Sequence, residues 1–98
     1  MTRTNSYSVY FMSNFASTVF YIGVINNLER RVWENRCDNG SVFTSKYKCQ
    51  YLVYYEDYTS IDNAIGREKQ LKNWQRKWKI ELIRKENPEL IDLAKDWY

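Results

Sequence analysis

The sequence predicts an α+β domain: a small three-stranded antiparallel sheet flanked by helices. Three observations carry that expectation. Stretches rich in Tyr, Val, Phe and Ile alternate or run apolar, as strands do. Elsewhere apolar residues recur every three or four positions, as helix faces do. The first two strand-like stretches are separated only by Ser13-Asn14-Phe15-Ala16-Ser17, a turn composition that makes them a hairpin. A chain of 98 residues reads as one domain, 1–98. A domain of that size buries roughly 60–70% of its unfolded surface, enough for one modest core.

Residues 6–12 place Tyr7, Val9 and Phe11 on one side and Ser8, Tyr10 and Met12 on the other. Thr18–Val24 is the second strand, and Gly23 permits a bend or a close passage of chain. A short helix follows, with Asn26 as N-cap and Glu29 three residues later, as in a capping box. Leu28, Arg31, Val32 and Asn35 share one face of it, and Cys37-Asp38-Asn39-Gly40 ends it. Gln50–Asp57 reads as the third and best buried strand. Thr59-Ser60 caps a longer helix whose inward stripe is Ile61, Ala64, Ile65, Glu68, Leu71 and Lys72. Gly66 within it costs about 1 kcal/mol relative to Ala, for which close packing or backbone access beside Glu68 are the available reasons. A further helix around 76–86 buries part of Trp74, Trp78, Ile80, Leu82 and Ile83. Asn87-Pro88 then starts a last helix with Leu90, Leu93, Ala94 and Trp97 on its apolar face.

Composition excludes several chemistries. There is no His, which removes Ser-His-Asp catalysis and His-metal nuclease motifs. Cys37 and Cys49 make no disulfide framework and no zinc site, and read as reduced thiols. No apolar run reaches the ~18 residues of a membrane span, and the polar N-terminus has no signal-type stretch. The expectation is a cytoplasmic protein without a membrane partner. Net charge is +3, but residues 67–85 gather Arg67, Lys69, Lys72, Arg76, Lys77, Lys79, Arg84 and Lys85 against Glu68 and Glu81. Such a run is either a solvated helix face or a polyanion-binding patch.

Two charges sit among apolar positions. Glu68 lies between Ile65 and Leu71, and Arg31 between Leu28 and Val32. Burying either alone costs several kcal/mol. They are therefore partners of each other or of neighbours, or else a phosphate clamp and a metal ligand. Tyr10 and Tyr21, on adjacent strands, are core residues or hydroxyl donors beside a phosphate.

In this order these residues resemble the GIY-YIG nuclease domain. The likeness is nearest to the small stand-alone bacterial proteins related to the N-terminal endonuclease domain of UvrC. Ser8-Val9-Tyr10 stands for the first signature triplet and Tyr21-Ile22-Gly23 for the second. Asn27-Leu28-Glu29-Arg30-Arg31 matches the helix with the catalytic arginine, Arg31. Thr44-x-Lys46-Tyr47 and Leu52-Val53-Tyr54-Tyr55-Glu56 match a loop and a strand of the small relatives. Arg67-Glu68-Lys69-Gln70-Leu71-Lys72-x-Trp74 matches the helix with the metal-binding glutamate, Glu68. Ser8 replaces a signature glycine, and Asn35 stands where members commonly carry a histidine; Asn hydrogen-bonds but does not titrate.

The resemblance implies metal-dependent hydrolysis of DNA phosphodiesters, structure-directed or of low sequence specificity. Mg²⁺ or Mn²⁺ would sit on Glu68, and Arg31 would stabilise the transition state. Tyr10 would act as a base with a lowered pKa, Tyr21 would orient phosphate or water, and Tyr47 and Asn35 would assist. Lys46, Lys69, Lys72, Arg76 and Lys77 would track duplex or branched DNA. Trp74 reads as core rather than as a base-stacking residue. The alternative is a weak or inactive module of this fold that binds DNA or a partner protein. A partner would in either case supply specificity.

Overall fold

The structure, a computed structural model, describes residues 7–36 and 48–97. Strands β1 (Tyr7–Ser13), β2 (Phe20–Ile25) and β3 (Tyr51–Tyr58) form one antiparallel sheet in the order β2-β1-β3. Asn14 organises the hairpin turn: its Oδ1 accepts from the Thr18 and Val19 amides at 2.9 and 3.0 Å.

The alternation in β1 sorts its side chains into two cores. Val9 and Phe11 pack with Ile22, Val53 and Tyr54 on one face. Tyr10 and Met12 pack with Leu52 on the other. Helices cover both faces, so the central strand is buried along nearly its whole length rather than half-solvated. A bulge between Phe11 and Met12 adjusts the pairing with β3.

Helix α1 (Leu28–Arg36) packs Leu28 and Val32 on the Tyr10 face. Its cap is Asn27, whose Oδ1 accepts from the Arg30 amide at 3.1 Å, one residue later than Asn26. The expected stop at Cys37–Gly40 lies outside the described residues. Helix α2 (Ile61–Lys72) is capped by Ser60, as expected, and lays Ala64 and Leu71 on the Phe11 face. Its inward stripe is narrower than the spacing predicts. Ile61 is 46% exposed and the Lys72 side chain 51%. A Cβ on Gly66 would meet nothing within 4 Å, which removes close packing as its reason. Helix α3 (Arg76–Glu86) buries Ile83, while Trp74 packs half-buried against the same core.

The final helix does not form. Asn87 turns the chain instead: its Nδ2 donates to the Val53 and Ile91 carbonyls at 3.0 and 2.8 Å, and its Oδ1 accepts from the Ile91 amide. Leu90 adopts a positive φ of 54°, incompatible with a helix. The segment then pairs with the open edge of β3. The Leu93 amide donates to the Leu52 carbonyl at 2.8 Å, and Asp92 Oδ1 accepts from the Leu52 amide at 3.2 Å. Arg36 closes the arrangement as an ion pair with Asp92.

Candidate active site

Tyr10 and Tyr21 meet because antiparallel pairing sets Tyr10 opposite Gly23 and Tyr21 opposite Met12. Their ring centroids are 6.3 Å apart. Tyr10 is 2% exposed, and its ring lies across Gly23: a Cβ there would stand 2.6 Å from the Tyr10 Oη. Gly23 has no positive φ, so the glycine is needed for space rather than for backbone freedom.

Around this phenol stand groups from two helices. Arg31 on α1 and Glu68 on α2 both act electrostatically on the Tyr10 hydroxyl, as do Tyr21 and Glu34. Arg31 and Glu68 take their ion pairs on their own helices. Arg31 Nη1 lies 3.6 Å from Glu34 Oε1, and Lys72 Nζ lies 3.2 Å from Glu68 Oε2. Among the described residues the buried Arg31 Nε has no hydrogen-bond partner. The Glu68 side chain is only 16% exposed. Two charges on apolar faces thus mark one place in the fold.

The Tyr10 pKa runs opposite to expectation. Burial raises it well above the ordinary tyrosine value, Tyr21, Glu68 and Glu34 add to the rise, and Arg31 alone pulls it down. A single guanidinium does not outweigh burial and two carboxylates, so the phenol keeps its proton in the free protein.

Among the described residues no three His, Cys, Asp or Glu side chains cluster as a metal cage. Glu68 is a single hard-oxygen donor, which suits Mg²⁺ or Mn²⁺ held mainly by water and phosphate and does not suit zinc. The Lys72 ammonium already beside that carboxylate is a competitor for any cation.

The other candidates divide. Asn35 is buried at 2% exposure, one turn beyond Arg31. Lys69, Lys72, Arg76 and Lys77 are exposed. Arg76 lies over the Phe20 ring at 5.0 Å and donates to the Ser17 carbonyl at 3.3 Å. Lys46 and Tyr47 lie outside the described residues. Glu34 is the residue that the sequence reading passed over, although its position three after Arg31 is a pairing distance on a helix.

A second charge cluster is structural. Arg67 grips Glu56 through Nε and Nη2 at 2.9 and 3.0 Å, and the Tyr54 and Tyr58 hydroxyls donate to the same carboxylate at 2.5 and 2.6 Å. Burial pushes the Glu56 carboxyl up, but the hydrogen bonds from Arg67, Tyr54 and Tyr58 outweigh it and hold the group below the usual range. This network ties α2 to β3. Of the Arg67–Lys72 segment, only part therefore faces the phenols.

The GIY-YIG catalytic domain matches residues 6–81. A UPF0213 protein from Staphylococcus haemolyticus is 30% identical over 63 residues, covering 64% of this chain and 77% of that protein. Another from Haloquadratum walsbyi is 27% identical over 78 residues, covering 80% and 88%. The solution NMR structure of a UPF0213 protein from Bacillus halodurans superposes with a TM-score of 0.56 at 20% identity, over 86% of this chain and 88% of that one. It shares the α+β architecture.

Proposed function

The chain belongs to the GIY-YIG family, and on that premise we propose that it is a metal-dependent endonuclease that hydrolyses DNA phosphodiester bonds. One observation supports the reading above the rest: Arg31 and Glu68, from separate helices, both act on the Tyr10 hydroxyl without being spent on each other.

In this reading Arg31 forks onto two non-bridging phosphate oxygens, exchanging its loose Glu34 contact for a charge-assisted one. Its buried Nε gains the acceptor it lacks. Tyr10 and Tyr21 act as neutral hydroxyls that orient the phosphate and the attacking water. Glu68 would hold Mg²⁺ or Mn²⁺ in place of its Lys72 contact, with Lys72 turned toward the DNA backbone. Such an ion would supply charge neutralisation at the leaving oxygen. Lys69, Lys72, Arg76 and Lys77, joined by Lys46, follow the strand. Specificity is low or set by DNA shape.

The experiment is a plasmid-nicking assay with Mg²⁺ or Mn²⁺. The parent cuts, and Arg31→Ala and Glu68→Ala abolish cutting while circular dichroism stays unchanged. Variants that cut as well as the parent would overturn these assignments.

A second reading, a non-cleaving DNA-binding module, is favoured by two observations. Asn35 replaces a titratable group, and Tyr10 holds its proton. It predicts a gel shift that needs no metal, and no nicking. Asn35→His then discriminates. A faster rate means that proton transfer was limiting, and an unchanged rate gives position 35 a purely positional role.

A further inference from the structure

Among the large exposed apolar residues, Trp78 lies on the helix with the densest run of cations. It is 47% exposed on α3, between Lys77 and Lys79. That helix carries Arg76, Lys77, Lys79, Arg84 and Lys85 against Glu81 and Glu86.

The ring is not loose. Trp78 packs edge-to-face on Trp74 with centroids 6.2 Å apart and planes at 89°. Trp74 is itself seated against the core, and the Arg67 guanidinium lies 5.2 Å over its ring. Arg67 is fixed in turn by its two bonds to Glu56. A chain of restrained groups therefore holds the indole in place before any ligand arrives, which lowers the ordering cost of binding.

We propose that Trp78 is a stacking platform for an unpaired nucleobase, so that this surface selects nucleic acid with a single-stranded segment over continuous duplex. A restrained, half-exposed indole on a strongly cationic helix matches a ligand that is a polyanion with flat apolar faces. In a duplex those faces are occupied by neighbouring bases, whereas an unpaired strand presents them. The platform also connects to the phenol site. Lys79, next to Trp78, donates from Nζ to the Lys72 carbonyl at 3.5 Å, and the Lys72 ammonium pairs with Glu68. The cationic track from the indole thus leads toward the carboxylate.

The proposal gives the nuclease reading a substrate class, and its test uses no cleavage. Binding is measured in EDTA by fluorescence anisotropy with three probes: an oligothymidylate, an abasic oligomer of equal length, and a blunt duplex. The oligothymidylate should bind about tenfold tighter than the abasic strand and should also outbind the duplex. Trp78→Ala should remove that advantage. Trp78→Phe should retain it, which separates loss of stacking from a folding defect. Equal binding of the abasic and base-bearing strands would overturn the proposal, as would an unchanged affinity in Trp78→Ala. If the preference holds but no nicking is seen, only the cleavage reading fails.

Discussion

Replacing Gly23 with Ala tests the central geometry directly. The new Cβ would stand 2.6, 2.8 and 3.0 Å from the Oη, Cζ and Cε1 of Tyr10. Those separations fall roughly 0.5–1 Å short of a comfortable ~3.5 Å contact. Tyr10 is 2% exposed, so its ring has no solvent to swing into, and β1 and β2 must part instead. Overpacking of this kind costs about 1–3 kcal/mol. Against it, Ala restricts the unfolded chain and returns ~0.4–1 kcal/mol. The clash wins, for a net loss of about 1–2 kcal/mol and a fall in Tm of roughly 4–16 °C. Urea and thermal unfolding read this out. In a Tyr10→Leu background the obstructing atoms are gone, so Gly23→Ala should there be neutral or stabilising. The coupling energy should be at least ~1 kcal/mol. A Gly23→Ala protein as stable as the parent would refute the account, as would an equal cost in both backgrounds.

Three further outcomes are expected. Glu56→Gln should lose about 1–3 kcal/mol near neutral pH. Because the Glu56 carboxyl is held low in the folded state, its contribution is complete above the unfolded value of ~4.3 and fades as pH falls through the folded one. The gap between parent and variant should therefore close in acid, and a gap that persists in acid unfolding curves would refute the assignment. Gly66→Ala should stabilise by about 0.5–1 kcal/mol, since the site is helical and open; a lower urea midpoint would contradict this. Because burial holds the Tyr10 phenol protonated above the ordinary value of ~10, the nicking rate should not fall between about pH 8 and 10 through loss of that proton. A fall in this range that Tyr10→Phe abolishes would refute the neutral-hydroxyl role.

The strands and the first three helices were legible because their signals are local. Alternation in Tyr7–Met12, the hydroxyl of Ser60 before an apolar period, and turn residues at 13–17 each act within a few positions. The first helix cap missed by one residue because two consecutive asparagines offer the same chemistry, and only the backbone decides that Asn27 points inward to the Arg30 amide. The last helix failed for a different reason. Leu90, Leu93, Ala94 and Trp97 carry a helical spacing, but unpaired groups at Leu52 on the β3 edge compete for the same backbone, and a tertiary partner outweighs intrinsic propensity. In the candidate site, the misplaced charges at Arg31 and Glu68 pointed to two side chains that both act on the Tyr10 hydroxyl. The direction of the Tyr10 shift was not readable, because burial depth is a property of the assembled sheet and not of the residue's neighbours in sequence.

Burial of β1 on both faces makes its alignment a lock. Sliding it by one residue would trade Val9 and Phe11 for Tyr10 and Met12 in two cavities of different shape, so no neighbouring register is tolerated. The phenol at the proposed reaction centre is thereby aimed by the whole domain rather than by a loop. Selection for a well-aimed Tyr10 and selection for a well-packed interior become one and the same pressure on this strand.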